Sequence, residues 1–241
     1  MKLKKVVALL LATLMMVGVM GAFAACGSDD DSENKGEETT EGESNSEIES
    51  EENEPGNVEI IPSSEGLEFQ LNEDKKSYTV TGIGSCIDTD IVISHYNGLP
   101  VTYINGGSFK NCSSLTSVTI GGCVRKINWS AFGHCSNLTS IIISDSVTSI
   151  GTGAFEDCTG LTSITIPDSV TSISSNAFYC CTGLTSITIG NGVTSIGWYA
   201  FSDCNSLTTI NYTGTEEQWN AIDKADASIP AGVTVNFNYS E

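Results

Sequence analysis

Apolar residues recur along this chain with a period of 23. Phe109, Phe132, Phe155, Phe178 and Phe201 stand 23 residues apart. So do Cys112, Cys135, Cys158, Cys181 and Cys204, and so do Leu115, Leu138, Leu161, Leu184 and Leu207. A fixed period of this length predicts a solenoid in which each copy forms one coil. In the third copy the inward set is Ala154, Phe155, Cys158, Leu161, Ile164, Ile166, Val170 and Ile173. Ile164 and Ile166, with Thr165 between them, alternate as a strand does. Ala154, Phe155 and Cys158 have the spacing of one turn of helix or 3₁₀ structure. Val170 and Ile173 predict a second short extended run opposite the first. No coil can bury such a set alone, so neighbours must stack. Gly, Asn, Asp and Pro supply the corners.

The flanks depart from the period. Leu67, Phe69 and Leu71 alternate on one side of NEDKKS, and Tyr78 and Val80 on the other. This predicts a hairpin that caps the first coil. Residues 86–108 read as a divergent first coil, with Ile91 and Ile93 as strand and Val101 and Ile104 matching the later Val and Ile positions. After Ile210 and Tyr212 the period stops. Thr215 followed by Gln218 is a capping box, so a short helix should begin there and carry Trp219 and Ile222. Val233, Val235, Phe237 and Tyr239 then alternate as a final strand. Helix and strand together form the expected C-terminal cap, since the last apolar layer must be hidden from water.

The first 26 residues have the make-up of a targeting segment. Lys2, Lys4 and Lys5 precede an apolar stretch from Val6 to Met20, and Ala24 and Ala25 lead into Cys26. Small residues before a cysteine resemble a bacterial lipobox, which implies a signal peptide over 1–26 and lipid attachment at Cys26. The alternative is an uncleaved anchor, because Val6 to Ala25 is long enough to cross a bilayer. Either way the lysines place the rest of the chain outside. Residues 27–57 hold 13 acidic residues against one lysine and almost no apolar residue except Ile48. Such a stretch cannot offset its ordering entropy and should form a disordered acidic tether. Residues 58–241 make up the repeat domain.

The formal net charge is −20. Thirteen of the 30 acidic residues and four of the ten basic ones precede residue 58, which leaves 17 against six. A domain this acidic argues against nucleic acid and anionic membrane surfaces, which need basic patches. Membrane contact is expected through the lipid anchor only.

The copies LTSITIPDSVTSISSNAFYCC and LTSITIGNGVTSIGWYAFSDC resemble the BspA-type leucine-rich repeat of bacterial surface proteins. The resemblance covers residues 67 to 241. It implies a strand-rich α/β repeat solenoid, a right-handed coil of about six turns, with regular repeats over 108–212. It also implies a monomeric surface protein. Scaffold alone does not name a ligand.

Nine cysteines in a secreted chain would usually suggest disulfides. Here Cys26 is claimed by lipid, and five share one inward repeat position. Parallel Cβ vectors in stacked coils hold their sulfurs apart. They should be buried thiols that behave as small hydrophobes. Cys86, Cys123 and Cys180 lie off this ladder, and Cys180 should be exposed. No cysteine and histidine spacing suits zinc, so no metal or other cofactor is expected. His95 and His134 are the only histidines. No nucleophile and base recommend themselves, so the chain should not be an enzyme. Asp88 and Asp90 read as turn residues rather than a carboxylate dyad.

What remains is surface. In leucine-rich repeats the strand residues between inward positions face the concave side. Here these are Ser117 and Thr119, Ser140 and Ile142, Ser163 and Thr165, Ser186 and Thr188, and Thr209 and Asn211. A second set consists of aromatics where sister coils carry small residues: Tyr103, Trp129, Tyr179 and Trp198. Exposed aromatics are common binding anchors. The expected function is a non-catalytic binding or adhesion module for an extracellular protein or glycan. The alternative is a structural, envelope-associated protein without a specific ligand.

Overall fold

The computed structural model describes residues 60–240. The targeting segment, the lipid attachment at Cys26 and the acidic tether lie outside the described residues.

The described chain begins with the expected hairpin. Strands β1 (Glu68–Leu71) and β2 (Tyr78–Gly82) pair antiparallel, with a register shift between Glu68 and Phe69. The first coil follows as β3 (Asp90–Ile93), β4 (His95–Tyr96) and β5 (Leu99–Ile104). β2 pairs parallel with β5, which joins the hairpin to the stack. Each of the next four coils contributes one four-residue and one two-residue strand. They are β6 (Ser117–Ile120) and β7 (Lys126–Ile127), then β8 (Ser140–Ile143) and β9 (Ser149–Ile150). The next two coils give β10 (Ser163–Ile166) and β11 (Ser172–Ile173), then β12 (Ser186–Ile189) and β13 (Ser195–Ile196). The chain ends with β14 (Thr209–Tyr212), α1 (Glu216–Ala221), β15 (Asp223–Lys224) and β16 (Thr234–Asn236).

Equivalent strands pair in parallel at the repeat spacing, as Ser163 with Ser186 and Ile164 with Ile187. Ile, Val and Thr favour this pleated, half-buried setting. Seven long-side strands stack, one per turn, so the expected six coils are seven turns. Exposure alternates along β10 as the two-residue period requires, with Ile164 and Ile166 buried and Ser163 and Thr165 exposed.

The α/β expectation needs correcting. Among the described residues the single helix is α1, six residues long. It starts where the capping box placed it: the Thr215 side chain accepts from Gln218 N–H, and the Gln218 side chain accepts from Thr215 N–H. The Ala-Phe-Cys segments, expected as a turn of helix or 3₁₀ structure, are instead linked turns. Their alternate N–H groups point sideways to the next coil. Gly153 donates to Ser175 O (3.0 Å), Phe155 to Ala177 O (2.8 Å) and Asp157 to Tyr179 O (2.8 Å). Gly153 and Asp157 both have positive φ, which turns these donors outward and prevents a helix from propagating.

Inside this turn side the phenylalanines form one column. Successive rings from Phe109 to Phe201 lie 5.1–5.5 Å apart and within 14° of parallel. All five are fully buried. The thiols beside them do more than fill space. Cys135 Sγ–H donates to Phe109 O (3.1 Å), Cys158 to Phe132 O (3.2 Å), Cys181 to Phe155 O (3.0 Å) and Cys204 to Phe178 O (3.0 Å). Each interior Phe carbonyl thus accepts the N–H of the cysteine in its own coil and the thiol of the next coil. Burial pushes the Cys135 thiol up from 9.0 to about 12. Cys112 has no regular coil before it and is only half-buried, a correction to the expectation of five buried thiols.

The long-strand side is not one sheet. β3, β6 and β8 form one, and β10, β12, β14 and β16 form another. A proline stands at the split. Gly121 N–H donates to Ile93 O, Gly190 N–H to Ile166 O and Thr213 N–H to Ile189 O, each reaching back one coil. Pro167 stands at the same repeat position and has no N–H to give Ile143. The threonine rungs step over the same point. The hydroxyls of Thr139, Thr185 and Thr208 donate to the carbonyl one coil back, and among the described residues Thr162 does not. Ile141 and Ile143, beside the split, are 7% and 8% exposed, against at most 1% for Val118 and Ile187.

Candidate binding surfaces

The split opens a groove of about 500 Å³ across the long-strand face. It gathers Ser140, Ile142, Ser163, Thr165, Ser186, Thr188 and Asn211, seven of the ten strand residues singled out from the sequence. Tyr239, which follows β16, reaches the same groove. Ile142 is 37% exposed, an apolar side chain on an otherwise hydroxyl-bearing face. Thr188 departs from the expectation, being buried at 8%. It lies in register between Thr165 and Asn211, at the Tyr239 end of the groove.

The other three strand residues lie outside the groove and are half-buried: Ser117, Thr119 and Thr209. Ser117 Oγ–H donates to Asp90 Oδ1 (2.7 Å), and the Thr116 hydroxyl donates to the same oxygen (2.8 Å). Asp90 therefore holds the start of the next coil, in line with a structural rather than a dyad role.

The four aromatics separate by their surroundings. Trp129 is 61% exposed, yet its ring lies against Gly106, where any Cβ would collide with it. It packs on the neighbouring turn. Tyr179 is half-buried, and hydrogen bonding to the Asp203 carboxylate holds its hydroxyl up at about 12. Tyr103, in β5, is 37% exposed, paired in register with Lys126. Trp198 is 52% exposed and stands beside Tyr199 at 48%. Tyr199 escaped the sequence reading. The signal available was its column, which elsewhere holds Gly107, Ser130, Gly153 and Asn176.

The histidines have structural surroundings. His95 Nδ1 lies 3.0 Å from Ser94 Oγ, and its Nε2 lies 3.8 Å from Cys123 Sγ. Burial lowers its pKa from the usual histidine value. His134 Nδ1 lies 3.1 Å from Asp157 Oδ2, both partly exposed. Glu156 joins them in a cluster whose ligand atoms fall within 4.8 Å of one another. Cysteine and histidine spacing gave no hint of it, because stacking brings residues 22 and 23 apart into contact. Cys180 is partly rather than fully exposed, with its Sγ 3.9 Å from Asp203 Oδ2. Among the described residues no helix is long and apolar enough to cross a membrane.

Comparison with known proteins agrees with this architecture. The model of the BspA type leucine-rich repeat region matches in six copies over residues 102–222. A leucine rich cell surface protein of Faecalibacterium prausnitzii is 32% identical with a TM-score of 0.60. The match covers 69% of this chain and 43% of that one, so this chain spans less than half the length of that relative. The leucine rich repeat protein of T. pallidum is 26% identical over 73% of this chain and 86% of its own, with a TM-score of 0.57. A leucine-rich repeat protein of Bacteroides ovatus is 30% identical over 61% of this chain and 35% of its own, with a TM-score of 0.50. No curated protein matches.

Proposed function

The chain belongs to the BspA-type leucine-rich repeat family, and from that premise we propose that it is a lipid-tethered module at the bacterial cell surface that binds an extracellular macromolecule without catalysis. Repeat proteins of this kind are generally non-catalytic binding modules, and one structural relative is a cell surface protein. The observation that carries the reading is the groove at the β8–β10 split. It collects seven strand residues into one concavity and exposes Ile142 within a field of hydroxyls. A partner seated there gains apolar burial at one point and hydrogen bonds around it, the arrangement of an interface core with a polar rim.

Replacing Ile142 and Ser163 with Lys tests the site. Both positions are exposed, so the charges are solvated in the free protein and the fold should hold. A partner would have to desolvate both charges, so saturable binding to immobilised extracellular matrix proteins should fall at least tenfold. Binding unchanged by the pair places the ligand elsewhere. Failure of the parent to bind any of them, with an envelope defect on deletion, favours the structural alternative. For the anchor, Cys26→Ala should abolish partitioning into detergent. Unchanged partitioning points to an uncleaved anchor.

A further inference from the structure

On the short-strand side, away from the groove, Trp198 and Tyr199 form an exposed pair with ring centroids 6.3 Å apart and planes tilted by 44°. Tyr199 has φ +56°, in the left-handed region. The same repeat position holds Gly107, Ser130, Gly153 and Asn176, all with positive φ. Glycine and asparagine accept that conformation readily, whereas a bulky side chain does so at a cost. The chain tolerates this cost at one coil and gains a surface ring there, a pattern found where a site demands it.

Trp198 also differs from its counterpart Trp129. The Trp129 ring is seated on Gly106. The residue one coil before Trp198 is Ser175, so that glycine seat is missing. Ser175 and Trp198 instead line a shallow, open depression of about 390 Å³. This lies within the range of about 300–1,000 Å³ common for small-ligand sites. Its other polar side chains are Thr152, Ser172, Ser174, Ser195 and Asp223, with Asp223 paired in register with Ser195.

We infer that this depression binds a neutral saccharide, with one pyranose face on the Trp198 ring and its hydroxyls on the serines and Asp223. A pyranose presents an apolar C–H face and a rim of hydroxyls. An exposed indole offers a π-face for the first. Serine hydroxyls both donate and accept, as sugar hydroxyls do, and the Asp223 carboxylate accepts from them. Anionic sugars are disfavoured by Asp223 and by the acidic charge of the whole domain. A protein partner is the poorer fit, because the aliphatic side chains here, Ile173 and Ile196, are buried and offer no exposed apolar point like Ile142 in the groove. The inference rests on the reading of the protein as a surface binding module, but not on the groove at the split.

The test is native affinity electrophoresis of the complete chain in detergent against mannan, galactan, β-glucan and starch, followed by calorimetry with the matching tetrasaccharide. At least one polysaccharide should retard the parent. Trp198→Thr, which installs the residue of a sister coil, should weaken binding at least tenfold while leaving the circular dichroism spectrum unchanged. Tyr199→Asn, which copies Asn176, should weaken it severalfold and gives a second reading if Trp198→Thr disturbs the fold. Trp129→Thr and the Ile142/Ser163 lysine pair should bind the saccharide like the parent. No retardation by any of the four polysaccharides overturns the inference. So does retardation that survives both Trp198→Thr and Tyr199→Asn. If the lysine pair abolishes capture of matrix proteins while the saccharide is still bound, the two sites are separate. If Trp198→Thr abolishes that capture and no saccharide binds, the inference falls and the depression serves a protein.

Discussion

On the turn side, the rings from Phe109 to Phe201 stack through five coils without a gap. On the long-strand side, pairing stops between β8 and β10. One repeat writes both sides, so the period alone does not decide continuity. The turn side has a main-chain N–H and a thiol at each regular coil. The long-strand side loses an N–H where Pro167 replaces the Gly, Ser or Thr of sister coils. The unbroken side is the stabilising spine, and the broken side opens the groove.

The largest effect should come from interrupting the spine. Phe155→Ala removes a fully buried ring between two stacked neighbours. It should cost about 3–5 kcal/mol in urea unfolding. A cost below about 1 kcal/mol would mean that the column contributes little beyond what its neighbours supply.

The thiols give the spine a pH signature. Cys135 is raised to about 12 in the folded chain, so it keeps its proton where the unfolded thiol, near 9, loses it. The folded state then binds more protons, and stability declines as pH rises. Its contribution is full below pH 9 and is lost between pH 9 and about 12. Within that window Cys135 should lower unfolding stability by about 1.4 kcal/mol per pH unit. Cys135→Ser keeps a donor for Phe109 O and should show a shallower decline. Identical slopes for parent and variant would contradict the assignment. Thiol reagents should modify Cys86, Cys112 and Cys180 in the native protein, and Cys135, Cys158, Cys181 and Cys204 only after unfolding.

Smaller effects sharpen the contrast. Tyr199→Asn relieves a left-handed aromatic and should stabilise the fold by about 1 kcal/mol. A loss of stability would mean that the ring packs. Pro167→Thr copies Thr213 and restores a donor toward Ile143. The new hydrogen bond contributes about 1 kcal/mol, and the freer unfolded chain offsets much of it. Denaturation should therefore shift little, while binding in the groove weakens as the split closes. Unaltered binding would separate the groove from Pro167.

These features differed in how legible they were from sequence. The inward set, the hairpin and the Thr215–Gln218 box follow from local spacing, and all three formed as expected. The thiols were read as hydrophobes because a period shows which residues are equivalent, not what each bonds to in the next coil. Pro167 was visible but read only as a corner residue, because its missing donor matters only once strands are aligned. Thr188 and Cys112 were misjudged for the same reason. Each matches its repeat position, yet one lies at the Tyr239 end of the groove and the other where the regular coils begin. The His134, Glu156 and Asp157 cluster and the Tyr199 ring arise from stacking and backbone sign, which composition does not carry.

Native amide hydrogen exchange, resolved by residue, tests the comparison most directly. Those amides of 140–143 and 162–166 that face the split should exchange at least tenfold faster than their equivalents in 117–120 and 186–189. The turn-side amides of Phe132, Phe155 and Phe178 should all be strongly and equally protected. Uniform protection along the long-strand side, or fast exchange at the Phe amides, would contradict it.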